Sequence, residues 1–240
     1  MTVKCVSFEP FAEFLYHTPL IRAFVRKLTL EPEDPRFIKT GMGSVKPGMA
    51  KIGPYLLVSI CDMLPNLHTL RLIILDWHGH STHGFHPWGC NTDLDRLPSP
   101  IRYLQTLELN ILYAPFSMQP GINEMRKIDI LRYFRGADVI RISRVPPTLS
   151  MPGIHPVWAK KLFLHGISDV STWIELFKQT CVTNNLRSFG TGLSELFSPL
   201  SPRTVTPIAV WLREDVGPKL EEFTLNIDDV YEHVSKYSAS

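Results

Sequence analysis

Between Trp77 and Cys90 the chain gathers four of its nine histidines, His78, His80, His83 and His86, with one cysteine. Neutral imidazole and thiolate are the side chains that take zinc. The spacings HxH, HxxH and HxxxC match no regular zinc module, and Gly79, Gly84, Pro87 and Gly89 punctuate the segment as in a long loop. The expectation is a loop whose Trp77, Phe85 and Trp88 pack onto a rim while the histidines stay hydrated. Metal binding by His78, His80, His83, His86 and Cys90 is the rival, and no cofactor is expected. Gly41-Met-Gly43-Ser-Val-Lys46-Pro47-Gly48 looks like a phosphate cradle but lacks the Gly-Lys-Ser/Thr ending, and Pro47 lacks a needed N–H. A connecting loop is expected there. Neither a GxSxG elbow nor an HExxH helix occurs. The close carboxylate pairs, Asp93 with Asp95, Glu221 with Glu222 and Asp228 with Asp229, lie in polar surroundings that do not raise a pKa for general acid work. The chain is expected not to be an enzyme.

Composition narrows the partners. Of 240 residues 44% are hydrophobic and 20% charged, and the net charge is +2. Such a chain buries a core without staples. Near neutrality argues against nucleic acid or an anionic membrane, since both demand a surplus of Lys and Arg. Cys5, Cys61, Cys90 and Cys181 form no CxxC pair and read as reduced thiols. The N-terminus has no secretory pattern, and no apolar run approaches the roughly 18 residues of a membrane span. A cytoplasmic or nuclear location is expected. The anomaly is proline, at 20 residues against 14 glycines; Pro19, Pro65, Pro98, Pro100, Pro146, Pro147, Pro156 and Pro218 are expected in links beside strands, where a helix must stop and the chain must turn.

What could position a functional surface is a repeat. Leu67-His-Thr-Leu70-Arg-Leu72 and Leu104-Gln-Thr-Leu107-Glu-Leu109 share one spacing, and Val25 to Leu30, Ala159 to Leu164 and Leu220 to Leu225 obey it too. Ala137 to Ile142 and Leu186 to Thr191 are weaker members. The middle apolar positions, Leu28, Leu70, Leu107, Ile140, Leu162, Phe189 and Phe223, recur at intervals between 22 and 42 residues. Within each segment the last two apolar residues alternate with polar ones, the period of a strand with one buried face. Seven strands are expected.

Between them the spacing changes to three and four, the mark of amphipathic helices. Phe11, Phe14, Leu15 and Ile21 predict one; Leu56, Leu57, Ile60, Cys61 and Leu64 a second; Ile128 to Phe134 a third, with Asn123 as cap and Gly136 as stop. Trp173, Leu176, Phe177 and Cys181 predict a fourth, and Val210, Trp211 and Val216 a fifth. Strict alternation implies parallel strands with helical crossovers, in a solenoid or a doubly wound sheet. Self-similar strands and the absence of a glycine-rich phosphate turn favour an α/β solenoid over a compact doubly wound enzyme. Residues 1–230 are expected to form one such domain and 231–240 a polar tail that frays.

The LxxLxL segments resemble the strand half of a leucine-rich repeat. With Phe11-Ala-Glu-Phe14-Leu15-Tyr-His-Thr-Pro19 and Leu64-Pro65-Asn66-Leu67, they resemble the leucine-rich-repeat-like region of fungal F-box proteins, over residues 2 to about 230. The asparagine that follows the strand in regular repeats is missing, and no F-box is seen; Met1 to Val6 looks like the strand that would come just after one. The resemblance implies a module that binds a protein partner of unidentified kind, delivering it to a cullin-type ubiquitin ligase only if an F-box lies upstream. The outward strand positions would carry contacts: Lys27, Thr29, Thr69, Arg71, Thr106, Glu108, Val139, Arg141, Lys161, Phe163, Glu222 and Thr224.

Overall fold

The computed structural model describes residues 1–5, 7–33, 50–77, 102–113, 130–143, 157–166, 170–179, 185–192, 197–198, 201–205 and 207–226. Strand β1 (Thr2–Lys4) leads through α1 (Glu9–His17) and α2 (Pro19–Arg22) to β2 (Lys27–Glu31). A short β3 (Lys51–Ile52) and α3 (Pro54–Asp62) precede β4 (Thr69–Trp77), followed by β5 (Tyr103–Tyr113). A 3-10 turn (Ile130–Tyr133) enters β6 (Gly136–Ser143), and β7 (Trp158–His165), α4 (Val170–Gln179) and β8 (Ser188–Gly192) follow. A hairpin of β9 (Phe197–Ser198) and β10 (Ser201–Val205), then α5 (Pro207–Trp211) with its π and 3-10 extensions to Lys219, lead to β11 (Glu222–Asn226).

The strands β1-β2-β4-β5-β6-β7-β8-β11 form one sheet in chain order, and every pairing along it is parallel. A doubly wound sheet reverses its strand order; this one never does, and it is a leucine-rich-repeat-like solenoid sheet. The predicted anchors make one unbroken ladder, Leu28–Leu70–Leu107–Ile140–Leu162–Phe189–Phe223, and Leu30–Leu72–Leu109–Ile142–Leu164–Thr191–Leu225 run beside it. Those residues face the helices and, as far as β8, are buried. Each large side chain buried this way contributes about 1.5–3 kcal/mol.

The first apolar position of each repeat lies three residues before the anchor, so strict alternation would turn it outward. A shared acceptor solves this. Gln105 and Thr106 both donate their N–H groups to the His68 carbonyl, at 2.8 and 3.1 Å; His68 and Thr69 do the same to Arg26, and Glu221 and Glu222 to Arg187. The chain bends where two donors meet one carbonyl, as at a bulge; Leu67 and Leu104 regain the core, and Leu220 packs half-buried against it.

The helices depart from expectation in detail. The first breaks at Thr18-Pro19, because proline lacks the N–H and drives the preceding residue out of the helical region; Thr18 sits at φ −125°, ψ 62°. Phe14 and Ile21 are consequently 43% and 37% exposed rather than core. The third shows only the 3-10 turn at Ile130–Tyr133, its remainder and Asn123 lying outside the described residues. The fourth ends at Gln179 within the described residues. Two features were not expected: β3, which pairs with the far end of β4, and the β9–β10 hairpin. Proline also has a role beyond links, since Pro10, Pro19, Pro54 and Pro207 stand in the first turns of helices, where no N–H is missed.

Candidate protein-binding face

The face opposite the helices carries every outward residue picked from the sequence. Lys27, Thr69, Thr106, Val139, Lys161 and Glu222 occupy one cross-strand ladder, with Ser188 between the last two. Thr29, Arg71, Glu108, Arg141, Phe163 and Thr224 occupy the next, with Gly190 between the last two. Ser188 and Gly190 were not singled out, because the Leu186 to Thr191 repeat is too weak a match to draw attention to its outward positions.

Both small residues matter to the geometry. Phe163 leans over Gly190: a Cβ there would come within 2.3 Å of the Phe163 ring. The same ring takes the Arg141 guanidinium on its face, with the carbon 4.4 Å from the centroid, a cation–π contact. Over buried Ser188, Lys161 Nζ reaches Glu222 Oε2 at 3.0 Å, bridging two strands 61 residues apart in sequence. The Lys161 ammonium holds the Glu222 carboxyl below the usual carboxylate range.

Arg71 closes a two-pronged pair with Glu108, Nε to Oε2 at 2.9 Å and Nη2 to Oε1 at 3.0 Å. Its fork matches a carboxylate in the plane of both groups. That bond is the first cause of the raised Arg71 pKa. The side chains are 46% and 20% exposed, so solvent screening limits the gain. A double-mutant cycle with Arg71→Ala and Glu108→Ala should give a coupling of about 0.5 kcal/mol, shrinking in 1 M salt. A coupling unchanged by salt would show that the pair acts through packing alone.

A further cluster stands near the strand entries. Tyr103 donates its hydroxyl to Asp138 Oδ1 at 3.1 Å, and Lys160 Nζ lies 2.6 Å from the same oxygen. The lysine is the first cause lowering the Asp138 pKa; burial first, then Asp138, raises the Tyr103 phenol. Three polar groups locked together on the surface hold their strands in register but leave no base or nucleophile free. Cys61 is no nucleophile either: burial pushes its thiol up to about 12.

Sequence inspection missed the residues that tie one repeat to the next. Asn66 Nδ2 donates to the Ala23 carbonyl at 2.7 Å, joining the β4 unit to the one before it. The asparagine sought after the strand thus has a counterpart before it. Arg102 donates to the carbonyls of Cys61 and Leu64 at the end of α3, and Arg22 to those of Leu15 and Tyr16 at the end of α1. Each arginine satisfies acceptors a helix terminus leaves open and complements its dipole.

Two hollows among the described residues bear on this face and its end. One, of about 290 Å³, opens on the outer face beside Glu108, Arg141, Phe163, His165, Thr224 and Asn226. The other, of about 470 Å³, lies between the turns after α5 and β11, beside Leu212, Gly217, Leu220 and Phe223. The histidine-rich segment with His78, His80, His83, His86 and Cys90, like the glycine-rich Gly41 to Gly48, lies outside the described residues. Among the described residues no three His, Cys, Asp or Glu side chains converge as a metal site, and no helix is long and apolar enough to cross a membrane. The chain matches no known protein-family model, no curated protein and no solved structure at a significant level.

Proposed function

We propose that this chain is a non-catalytic protein-binding module working through the outer face of its sheet, the substrate-recognition part of a ubiquitin ligase of the F-box kind. One observation carries the binding half. From β2 to β11 the face opposite the helices presents two in-register rows of hydroxyl, charged and aromatic side chains. Among the described residues the helices pack on the other side, where the core lies. A row of side chains fixed on a rigid sheet suits an extended protein partner, because little freedom is lost when it binds. The ligase half rests on the resemblance of the LxxLxL segments and requires an F-box encoded upstream of Met1.

Thr106→Arg, at the middle of the face, should reduce partner recovery in affinity purification by about tenfold, while Glu13→Arg on exposed α1 leaves it unchanged. Equal recovery with Thr106→Arg would place binding elsewhere. For the ligase half, the gene's upstream reading frame is decisive: an in-frame F-box should make partner ubiquitination depend on this face.

A further inference from the structure

Among the described residues, Arg141 on the outer face has its guanidinium met by an aromatic ring and by no acid. We propose that the cleft above Gly190 anchors an acidic side chain of an extended peptide segment in the protein partner, with Arg141 as its charged contact and Phe163 as its wall. The proposal rests on the protein-binding reading of this face and names the chemistry that face selects.

Along the ladder, Glu108 stands in register with both Arg71 and Arg141, yet both its oxygens are taken by the Arg71 fork. Arg141 forms no ion pair among the described residues; its one described contact is the ring of Phe163. Stacking occupies the face of the guanidinium and leaves the in-plane N–H donors at its edge, the donors that match a carboxylate. Phe163 can lean across β8 because Gly190 has no side chain, so β8 forms a floor instead of a ridge. Ser143 and Thr224 are short, and the resulting open hollow of about 290 Å³, at the bottom of the range for ligand sites, has room for a side chain. The carboxylate comes from a side chain and not a chain end. A terminal carboxylate is captured by free backbone N–H groups, and β6, β7 and β8 are interior strands paired on both sides.

The test is selection of random heptapeptides, displayed with both ends fused, on the full chain and on Arg141→Gln, Arg141→Lys and Phe163→Leu. Arg141 is exposed, so its two substitutions should leave the melting temperature unchanged. The wild-type pool should be enriched about fivefold in Asp and Glu at one position, the size of a good exposed ion pair. Arg141→Gln should abolish the enrichment, Arg141→Lys should weaken it through loss of the fork, and Phe163→Leu should lower it. Equal acidic content in the wild-type and Arg141→Gln pools would overturn the anchor. If those pools still vanished with Thr106→Arg, the binding face itself would stand. Failure to enrich any peptide on the wild type would overturn both. A second library with free C-termini separates the carboxylate sources: Arg141-dependent recovery of acid-free peptides there would overturn the side-chain assignment.

Discussion

Gly136→Ala should cost about 3–5 kcal/mol of unfolding free energy, a large share of the 5–15 kcal/mol a domain of ordinary stability has. Gly136 opens β6 with φ at +144°, a region L side chains rarely enter. It also sits between two strands, in register with Tyr103 of β5 and Trp158 of β7. A Cβ would lie 2.2 Å from the Trp158 carbonyl oxygen and 2.6 Å from its nitrogen. Backbone cannot swing aside as a flexible side chain can, so either β7 shifts or the β6–β7 pairing opens. Urea unfolding should show a lower midpoint with the slope unchanged. A loss below about 1 kcal/mol, the ordinary cost of a surface change, would mean that the strand entry relaxes freely.

Gly136 also shows where sequence reading stops. It was expected as the stop of a helix, a local role that residue type and neighbours suggest. What excludes a side chain there is the backbone of Trp158, a residue on the next strand, and no pattern within the segment reveals it. The leucine ladders were legible for the opposite reason: burial on one face of a strand imposes a period of two on the segment itself, and every repeat writes it again. Even Phe189 and Phe223, which break the leucine identity, keep the position. The outward rows followed automatically once the inward ones were known. What joins residues across units was hidden: Lys161 with Glu222 over Ser188, Phe163 over Gly190, Asn66 to Ala23. Each depends on which strand lies next door, knowledge that comes from topology. The stop at Pro19 was legible, since proline after Thr18 opposes a continuous helix; the exposure of Phe14 and Ile21 was not, because apolar spacing alone does not say which face meets the sheet.

The ladder predicts how strongly each anchor matters. In a solenoid a unit contacts only its neighbours, so an anchor with units on both sides loses packing on both when truncated. Leu107 is 1% exposed and lies between Leu70 and Ile140. Leu107→Ala should therefore cost about 3–4 kcal/mol, from lost transfer energy and from a cavity that two rigid strands cannot collapse. Phe223 occupies the same position on the last strand but is 48% exposed, with Phe189 stacked at 6.2 Å on one side. Although it removes a larger side chain, Phe223→Ala should cost only about 1 kcal/mol, because half of its ring already faces water. Denaturant unfolding of the two variants compares them directly. Residue volume alone predicts the reverse order, with the phenylalanine dearer. Equal losses, or a greater loss at Phe223, would mean that the sheet does not end its packed core at β8, and that another part of the chain covers β11 in solution.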